Sequence, residues 1–169
     1  MAQTALIADI LNVGGADLPQ FTLSQSSTWR AGTDTVKKKA NDIRQNFGVG
    51  LDNHCLVAHF DGKIVSEFSE GRKLNNHRVS LSVSSPALET PQLLGVPVVE
   101  TSSGAHQTVE VVKLLKDWGV WENLIALCFD TTSDNRGRVK GACTRIEKEM
   151  GFALLWLACQ RHVFEVHIK

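Results

Sequence analysis

The chain has 169 residues, 43% of them hydrophobic, and its 18 basic and 18 acidic side chains cancel. This length accommodates one ordinary domain, and the composition is that of a globular protein, which excludes the disordered and fibrous classes. The neutral net charge gives no global sign of a nucleic-acid or membrane partner, although a local basic patch can coexist with it.

The first 50 residues carry helical patterns without strand patterns, and we predict a lead-in of helices and loops. Residues 5–13 predict a short helix, and a loop rich in Ser, Thr and Gln follows it. Thr33 or Asp34 is then suited to cap a basic helix over residues 36–47, which Gly48 ends.

The remainder of the chain, from residue 51 to its last residue, is predicted to form one α/β domain. Residues 54–60 and 63–68 have the length and β-branched content of strands, and an Asp-Gly hairpin turn at Asp61 joins them. Residues 78–84 alternate strictly between apolar and polar and predict a third, half-buried strand. These three runs predict an antiparallel meander.

Helices and strands alternate after a connection that contains three prolines. Residues 107–118 predict a helix with Val109, Val112, Leu115 and Trp118 along one side. The elements predicted after it are a buried strand at 124–129, a helix at 138–150 and a last buried strand at 154–158. The predicted order is therefore β-β-β-α-β-α-β.

The cysteines and the N-terminus indicate a cellular compartment. Cys55, Cys128, Cys143 and Cys159 form no Cys-x-x-Cys pair, which predicts reduced thiols in an intracellular protein. The N-terminus lacks the basic segment of a secretory signal, and the longest apolar run, residues 152–159, is too short to span a bilayer. We expect no membrane partner and a nuclear or cytoplasmic location.

The element order matches the ribonuclease-H-like fold, an α/β fold with a mixed five-stranded sheet. In that fold the first and fourth strands are neighbours, so acids at their ends meet. Asp61 and Asp130 hold these two positions. Two carboxylates so close together repel each other and favour a bound hard cation such as Mg²⁺ or Mn²⁺, which supports phosphoryl transfer.

Each acid also has an ordinary structural interpretation, which the sequence leaves open. Asp61 suits a tight hairpin, and Asp130 suits the turn before the next helix. Asp134 and Asn135 either assist Asp130 or cap the helix that follows, and the pattern favours capping.

Several motifs together resemble a group of transposase-derived animal proteins. They are Phe129-Asp-Thr-Thr-Ser-Asp-Asn-Arg-Gly137, Gly141-Ala-Cys143, Leu154-Leu-Trp-Leu-Ala-Cys159, His162 with Glu165, Asp61-Gly-Lys63, Leu94-Gly-Val-Pro97 and Ser102-Ser-Gly104. The resemblance spans roughly residues 54–168. This group is similar in turn to the hAT-type DDE transposases, which cut DNA and transfer strands with two metal ions.

The resemblance implies roles for individual residues. Asp61 would be the first metal ligand and Asp130 the second. Cys159 and His162 match a Cys-x-x-His element, whose His lies near the scissile strand or flipped bases. A zinc site built from these residues and Cys143 lacks the paired ligand spacing of zinc sites, so we do not expect zinc.

The third catalytic acid is where the chain departs from the family. In hAT-type enzymes this acid lies on a helix beyond a long insertion, whereas the present chain reaches only Lys169. Glu165 is the nearby acid after the last strand and is the candidate for the third position. The resemblance therefore implies a domain that is incomplete at its C-terminus, and it allows a fragment, a degraded copy or a domesticated binding protein.

A basic cluster after Asp130 is a candidate for holding nucleic-acid phosphates. It consists of Arg136, Arg138, Lys140 and Arg145, with His162 added by the resemblance. An ordinary solvated helix start is the alternative, and the same two interpretations apply to the basic run 37–39 with Arg44. We expect DNA as a partner, and the sequence leaves oligomerisation open.

Three functions compete at this point. The first is metal-dependent cleavage of DNA, and the second is a non-catalytic module of the same fold that binds nucleic acid or protein. The third is a small-molecule enzyme on an unrelated α/β sheet, which a purely parallel sheet would favour.

Overall fold

The structure is a computed structural model that describes residues 2–15, 24–47, 51, 54–69 and 72–168. It divides the chain into two units, residues 1–46 and 47–169. The division lies close to the predicted boundary between the lead-in and the α/β domain.

The described residues of the first unit form two helices, α1 (Ala2–Val13) and α2 (Gln25–Phe47), of which α2 ends at the boundary with the second unit. The prediction that α2 begins near Thr33 is wrong. Ser24 accepts a hydrogen bond from the Ser27 N–H at 3.1 Å and donates its own N–H to the Ser27 hydroxyl at 2.8 Å. This reciprocal cap starts the helix in the segment predicted as a loop. The predicted stop at Gly48 lies outside the described residues.

A long antiparallel pair forms the centre of the second unit. Strand β1 (Leu56–Ser69) pairs with β2 (Arg72–Ser84) along its length. The predicted hairpin at Asp61 is therefore wrong, because Asp61 lies within β1 and pairs with Ser80. The alternation of apolar residues in 63–68 continues that of residues 54–60 without a change of phase, so one continuous strand accommodates both runs. The pairing of this strand with β2 outweighs the local turn preference of Asp-Gly.

The sheet is completed by four shorter strands. Strands β3 (Gln92–Gly95) and β4 (Val98–Val99) both pair antiparallel with β2, inside the segment predicted as a connection. Strand β5 (Leu124–Phe129) runs parallel to β1, and β6 (Leu155–Ala158) runs parallel to β5. The order is β3-β2-β1-β5-β6 with β4 beside β2, so the fold is α/β with a mixed sheet of six strands rather than five.

Four helices accompany the sheet in the second unit. They are α3 (Gly104–Asp117), α4 (Ser133–Arg136), α5 (Ala142–Met150) and α6 (Gln160–Ile168), and a 3₁₀ turn precedes β5. The core contains Phe60 of β1, Leu115 of α3 and Ile146 of α5. The predicted face of α3 is partly wrong, because Val109 is 62% exposed whereas Val111 is buried. Among the described helices, none has the length and apolar character needed to cross a membrane.

Strand β6 does not have the burial that was predicted for it. All four of its residues are exposed, and Leu155 is 63% exposed, whereas Leu154 just before the strand is buried. Strand β6 stands at the end of the strand order, so it has a neighbouring strand on one side only among the described residues. An apolar run therefore forms an edge strand here.

Candidate functional site

Asp61 and Asp130 occupy neighbouring positions where the parallel ladder of β1 and β5 ends. The last pair in the parallel ladder of β1 and β5 is Phe60 with Phe129. The next residues on the two strands are Asp61 and Asp130. Since neighbouring strands lie roughly 4.8 Å apart, this register places the two acids side by side just beyond the β1–β5 ladder.

These acids line an open cleft of about 360 Å³. The cleft is bounded by His59, Phe60, Asp61, Lys63, Ser80, Ser82, Cys128, Asp130, Cys159, Arg161, His162 and Glu165. Residues at positions 59, 61 and 63 alternate along β1 and so lie on one face of the sheet. Every residue that the sequence proposed as catalytic, and the Cys-x-x-His pair, borders this cleft.

The turn after β6 brings the C-terminal candidates to the cleft. The Cys159 N–H donates to the carbonyl of Phe129 at 2.8 Å, which extends the β5–β6 ladder by one residue. Helix α6 begins at the next residue, and the Val163 N–H donates to the Cys159 carbonyl at 3.0 Å. His162 and Glu165 are three residues apart on this helix, so they share its face toward the cleft.

The carboxylate of Asp130 is held by its own loop. Its Oδ1 accepts hydrogen bonds from the Thr132 N–H at 3.3 Å, from the Thr132 hydroxyl at 2.7 Å and from Nδ2 of Asn135. Asn135 is 1% exposed, and its own Oδ1 is buried without a hydrogen-bond partner in the structure. The favoured interpretation of Asn135 as a helix cap is therefore wrong. Its side chain orients Asp130 instead.

Negative charge in the cleft changes the titration of Asp61. The pKa of Asp61 is raised above its ordinary value, first by burial of the carboxyl and then by the nearby charge of Asp130. Glu165 also raises the pKa of Asp61, whereas Lys63 and His162 lower it. The cleft therefore favours either a proton on Asp61 or a cation beside it.

Because ionised Asp61 is unfavourable in the fold, the Asp61→Asn substitution is expected to raise the free energy of unfolding at pH 7 by up to about 1 kcal/mol, the upper size of a solvent-screened charge interaction. The folded chain holds the Asp61 proton more tightly than the unfolded chain, so its destabilising effect grows as pH rises from the ordinary value of 3.8 through the raised pKa. Urea unfolding measures the difference in unfolding free energy between this variant and the unmodified chain, and the difference should shrink near pH 4.

Glu89→Gln, on an exposed loop residue, is the matched control and should leave stability unchanged at both pH values. A loss of stability in Asp61→Asn of equal size at both pH values would show that Asp61 has a structural role.

His59 is a member of the cleft that the sequence did not indicate. Its Nε2 lies 2.7 Å from the Ser84 hydroxyl, and burial lowers the pKa of its imidazole. The neutral form is therefore favoured at neutral pH, and it can accept or donate a proton. The available signal was its position two residues before Asp61 on a strand, which places both on one face.

The structure separates Cys143 from Cys159 and His162, the residues that were considered together as zinc ligands. Cys128 and Cys159 border the cleft, and the pKa of Cys128 is raised by burial and then by the neighbouring Cys159. Cys143 is fully buried in the core, where burial strongly raises the pKa of its thiol. Cys143 therefore does not join Cys159 and His162 at the cleft.

The basic residues that follow Asp130 in the sequence lie outside the cleft. Arg136, Arg138 and Lys140 are exposed, and the Arg145 Nε donates to the Lys140 carbonyl at 3.1 Å. None of these four lines the cleft. Its cationic side chains are Lys63 and Arg161, which sequence reasoning missed because they come from two separate elements.

The donor chemistry of the cleft fits a hard divalent cation on two carboxylates. Both are oxygen ligands, and the hydrogen bonds that Asp130 accepts within the described residues all end on Oδ1 and leave Oδ2 free. In the part of the chain that the structure describes, no group of three or more His, Cys, Asp or Glu side chains is arranged to hold a metal ion. Glu165 borders the same cleft.

Comparisons with known proteins leave the chain without an assigned family. A scan against protein-family models and a search of curated proteins both found no match.

Proposed function

We propose that the second unit is a transposase-like domain with a ribonuclease-H-like fold that cleaves phosphodiester bonds in DNA with Mg²⁺ or Mn²⁺. The observation that carries this proposal is that Asp61 and Asp130 directly follow the last pair of the parallel β1–β5 ladder and line one cleft. The order of the main strands is β3-β2-β1-β5-β6, and among them β2 runs opposite to the others. This arrangement is the one expected of such a fold and supports the proposal.

The proposed roles follow from the cleft. Asp61 and Asp130 would hold the cation, and Asn135 keeps the Asp130 carboxylate in one orientation through its hydrogen bond. A cation bound there would polarise a phosphoryl oxygen and make a water molecule or a hydroxyl more nucleophilic. Lys63 and Arg161 line the same cleft and supply positive charge for the phosphates of the substrate.

Two other residues would take part near the reacting groups. Neutral His59 is suited to accept a proton, because burial lowers the pKa of its imidazole. His162 and Glu165 project from α6 into the cleft, where they would contact the DNA strand or adjust the charge of the site.

A non-catalytic module of the same fold is the second candidate. The observation in its favour is that the described residues do not arrange three ligands for a metal ion, and two carboxylates alone hold a cation weakly. The third interpretation, a small-molecule enzyme on a parallel sheet, loses its support because the sheet is mixed.

Incubation of the whole chain with supercoiled plasmid DNA distinguishes the two candidates. Nicked and linear products that require Mg²⁺ or Mn²⁺ and disappear with EDTA are expected from the proposed nuclease. Salt-sensitive DNA binding that is independent of the cation, without cleavage, would support the binding module instead. A chain that neither binds nor cleaves DNA would refute the nuclease and would leave protein as the partner of the binding module.

A further inference from the structure

Helix α2 of the first unit carries an apolar seam with the spacing of a coiled coil. Its members are Trp29, Thr33, Val36, Ala40 and Ile43, which follow one another at steps of four, three, four and three residues. This alternation keeps them on one side of a helix that is 23 residues long. Such a pattern is typical of a helix that packs against a second helix.

The seam is exposed in the structure. Trp29 is 70% exposed, Val36 is 68% exposed and Ile43 is 50% exposed, and none of the described residues of α2 is buried. The one polar member, Thr33, donates its hydroxyl to the Trp29 carbonyl at 2.9 Å, so it presents its methyl group without an unsatisfied donor. The seam is therefore suited to burial by a partner.

Basic residues flank the seam. Arg30, Lys37 and Arg44 each follow an apolar member by one position, and Lys39 precedes Ala40 by one. These are the positions whose charges face the partner in a coiled coil. The two acids of the helix, Asp34 and Asp42, lie on the opposite side of the heptad pattern.

We propose that α2 is a docking helix for an acidic amphipathic helix of another protein. An apolar seam with Glu or Asp beside it would bury the exposed Trp29, Val36 and Ile43 and would pair with the basic flanks of α2. A second copy of α2 would bring Lys and Arg against Lys and Arg, which opposes self-association. DNA would pair with the flanks and leave the apolar seam in water.

The test uses the whole chain and a fluorescent synthetic peptide of about three heptads with Leu along the seam and Glu at both flanking positions. A matched peptide with Lys at the flanking positions is the charge control. We expect the Glu peptide to bind at least about tenfold more tightly than the Lys peptide, and this preference should fall near 1 M salt, where the screening length is about 3 Å.

The double variant Val36→Ser, Ile43→Ser removes two apolar members of the seam. It is expected to weaken binding of the Glu peptide by at least about tenfold. Lys38→Ser, on the side of α2 away from the seam, is the matched control and should retain binding. Both variants change exposed side chains, and circular dichroism checks that the helix content is preserved.

Other outcomes would overturn the proposal. Equal binding of the Glu and Lys peptides would show that charge does not select the partner. A dimer of the chain in sedimentation that the seam variant disrupts and the Glu peptide does not displace would assign the seam to a second copy. Binding to random duplex DNA or to phosphatidylserine vesicles without binding to the Glu peptide would assign α2 to those partners instead.

Discussion

The Asp130→Asn substitution is expected to reduce cation-dependent DNA cleavage by at least about a hundredfold, because it removes one of the two carboxylates proposed to hold the cation. The substitution preserves the shape of the side chain. Its carbonyl oxygen can still accept from Thr132 and Asn135, so the loop after β5 keeps its hydrogen bonds. Plasmid nicking rates under a fixed Mn²⁺ concentration measure the effect.

Stability and cation binding give readouts that do not depend on cleavage. Asp130→Asn should not lower the melting temperature, because it removes a charge that opposes ionised Asp61. Added Mn²⁺ should stabilise the unmodified chain and leave this variant unaffected. Asp134→Asn is the matched control, since Asp134 is an exposed acid four residues away that does not line the cleft. Equal losses in both variants would refute the specific role of Asp130.

The Asn135→Ala substitution tests the orientation of the Asp130 carboxylate separately from its presence as a cation ligand. It removes the hydrogen bond to the Asp130 carboxylate and retains both acids. We expect a smaller loss of cleavage than in Asp130→Asn, together with weaker stabilisation by Mn²⁺. Asn135→Asp, which places a second charge beside Asp130, should not restore activity, whereas Asn135→Gln should restore part of it if the amide donor is what matters.

The Gly141→Ala substitution is expected to lower the free energy of unfolding by roughly 3 kcal/mol and the melting temperature by roughly 10 °C. A methyl group at Gly141 would lie 2.7 Å from the carbonyl oxygen of Asn135 and even closer to the backbone of Gly137. All these neighbours are backbone atoms, which cannot rotate away. The segment that would have to shift also carries Asn135, so the orientation of Asp130 should change as well.

Gly95→Ala is the matched control for Gly141→Ala. An added methyl group at Gly95 would meet the methyl groups of Leu114 at 3.1 and 3.2 Å, and this side chain can move. The expected loss is no more than about 1 kcal/mol. Chemical denaturation of both variants provides the measurement, and equal losses would show that the close backbone approach at Gly141 does not limit stability.

Gly104 lies at the contact between two of the sequence motifs. It begins α3, and a methyl group there would lie 2.8 Å from the Ala142 nitrogen and 2.9 Å from the Lys140 carbonyl oxygen. The Ser102-Ser-Gly104 motif therefore packs directly against the Gly141-Ala-Cys143 motif. Residues close in space but about 40 positions apart in the chain cannot be paired from one sequence, because local periodicity carries no information on long-range packing.

Much of the candidate site could be predicted because its residues border apolar strand runs. Asp61, Asp130, Cys159, His162 and Glu165 all follow or border strands whose apolar runs are visible in the sequence, and the cleft gathers them. His59 and Asn135 were not assigned to the site. The contribution of His59 depends on which strand face is uncovered, and that of Asn135 depends on one side-chain hydrogen bond, and local periodicity decides neither.

By itself the sequence determined the α/β class, strand β5, the C-terminal ends of α3 and α5 to within one residue, and the two acids, Asp61 and Asp130, that border the cleft. Each of these depends on apolar periodicity or on residues that end an element, which act over a few neighbours. Only the tertiary structure decided that β1 continues through Asp61, that β6 is an exposed edge, and that Asn135 holds Asp130. These features depend on pairing and packing between distant segments, whose energies outweigh local preference.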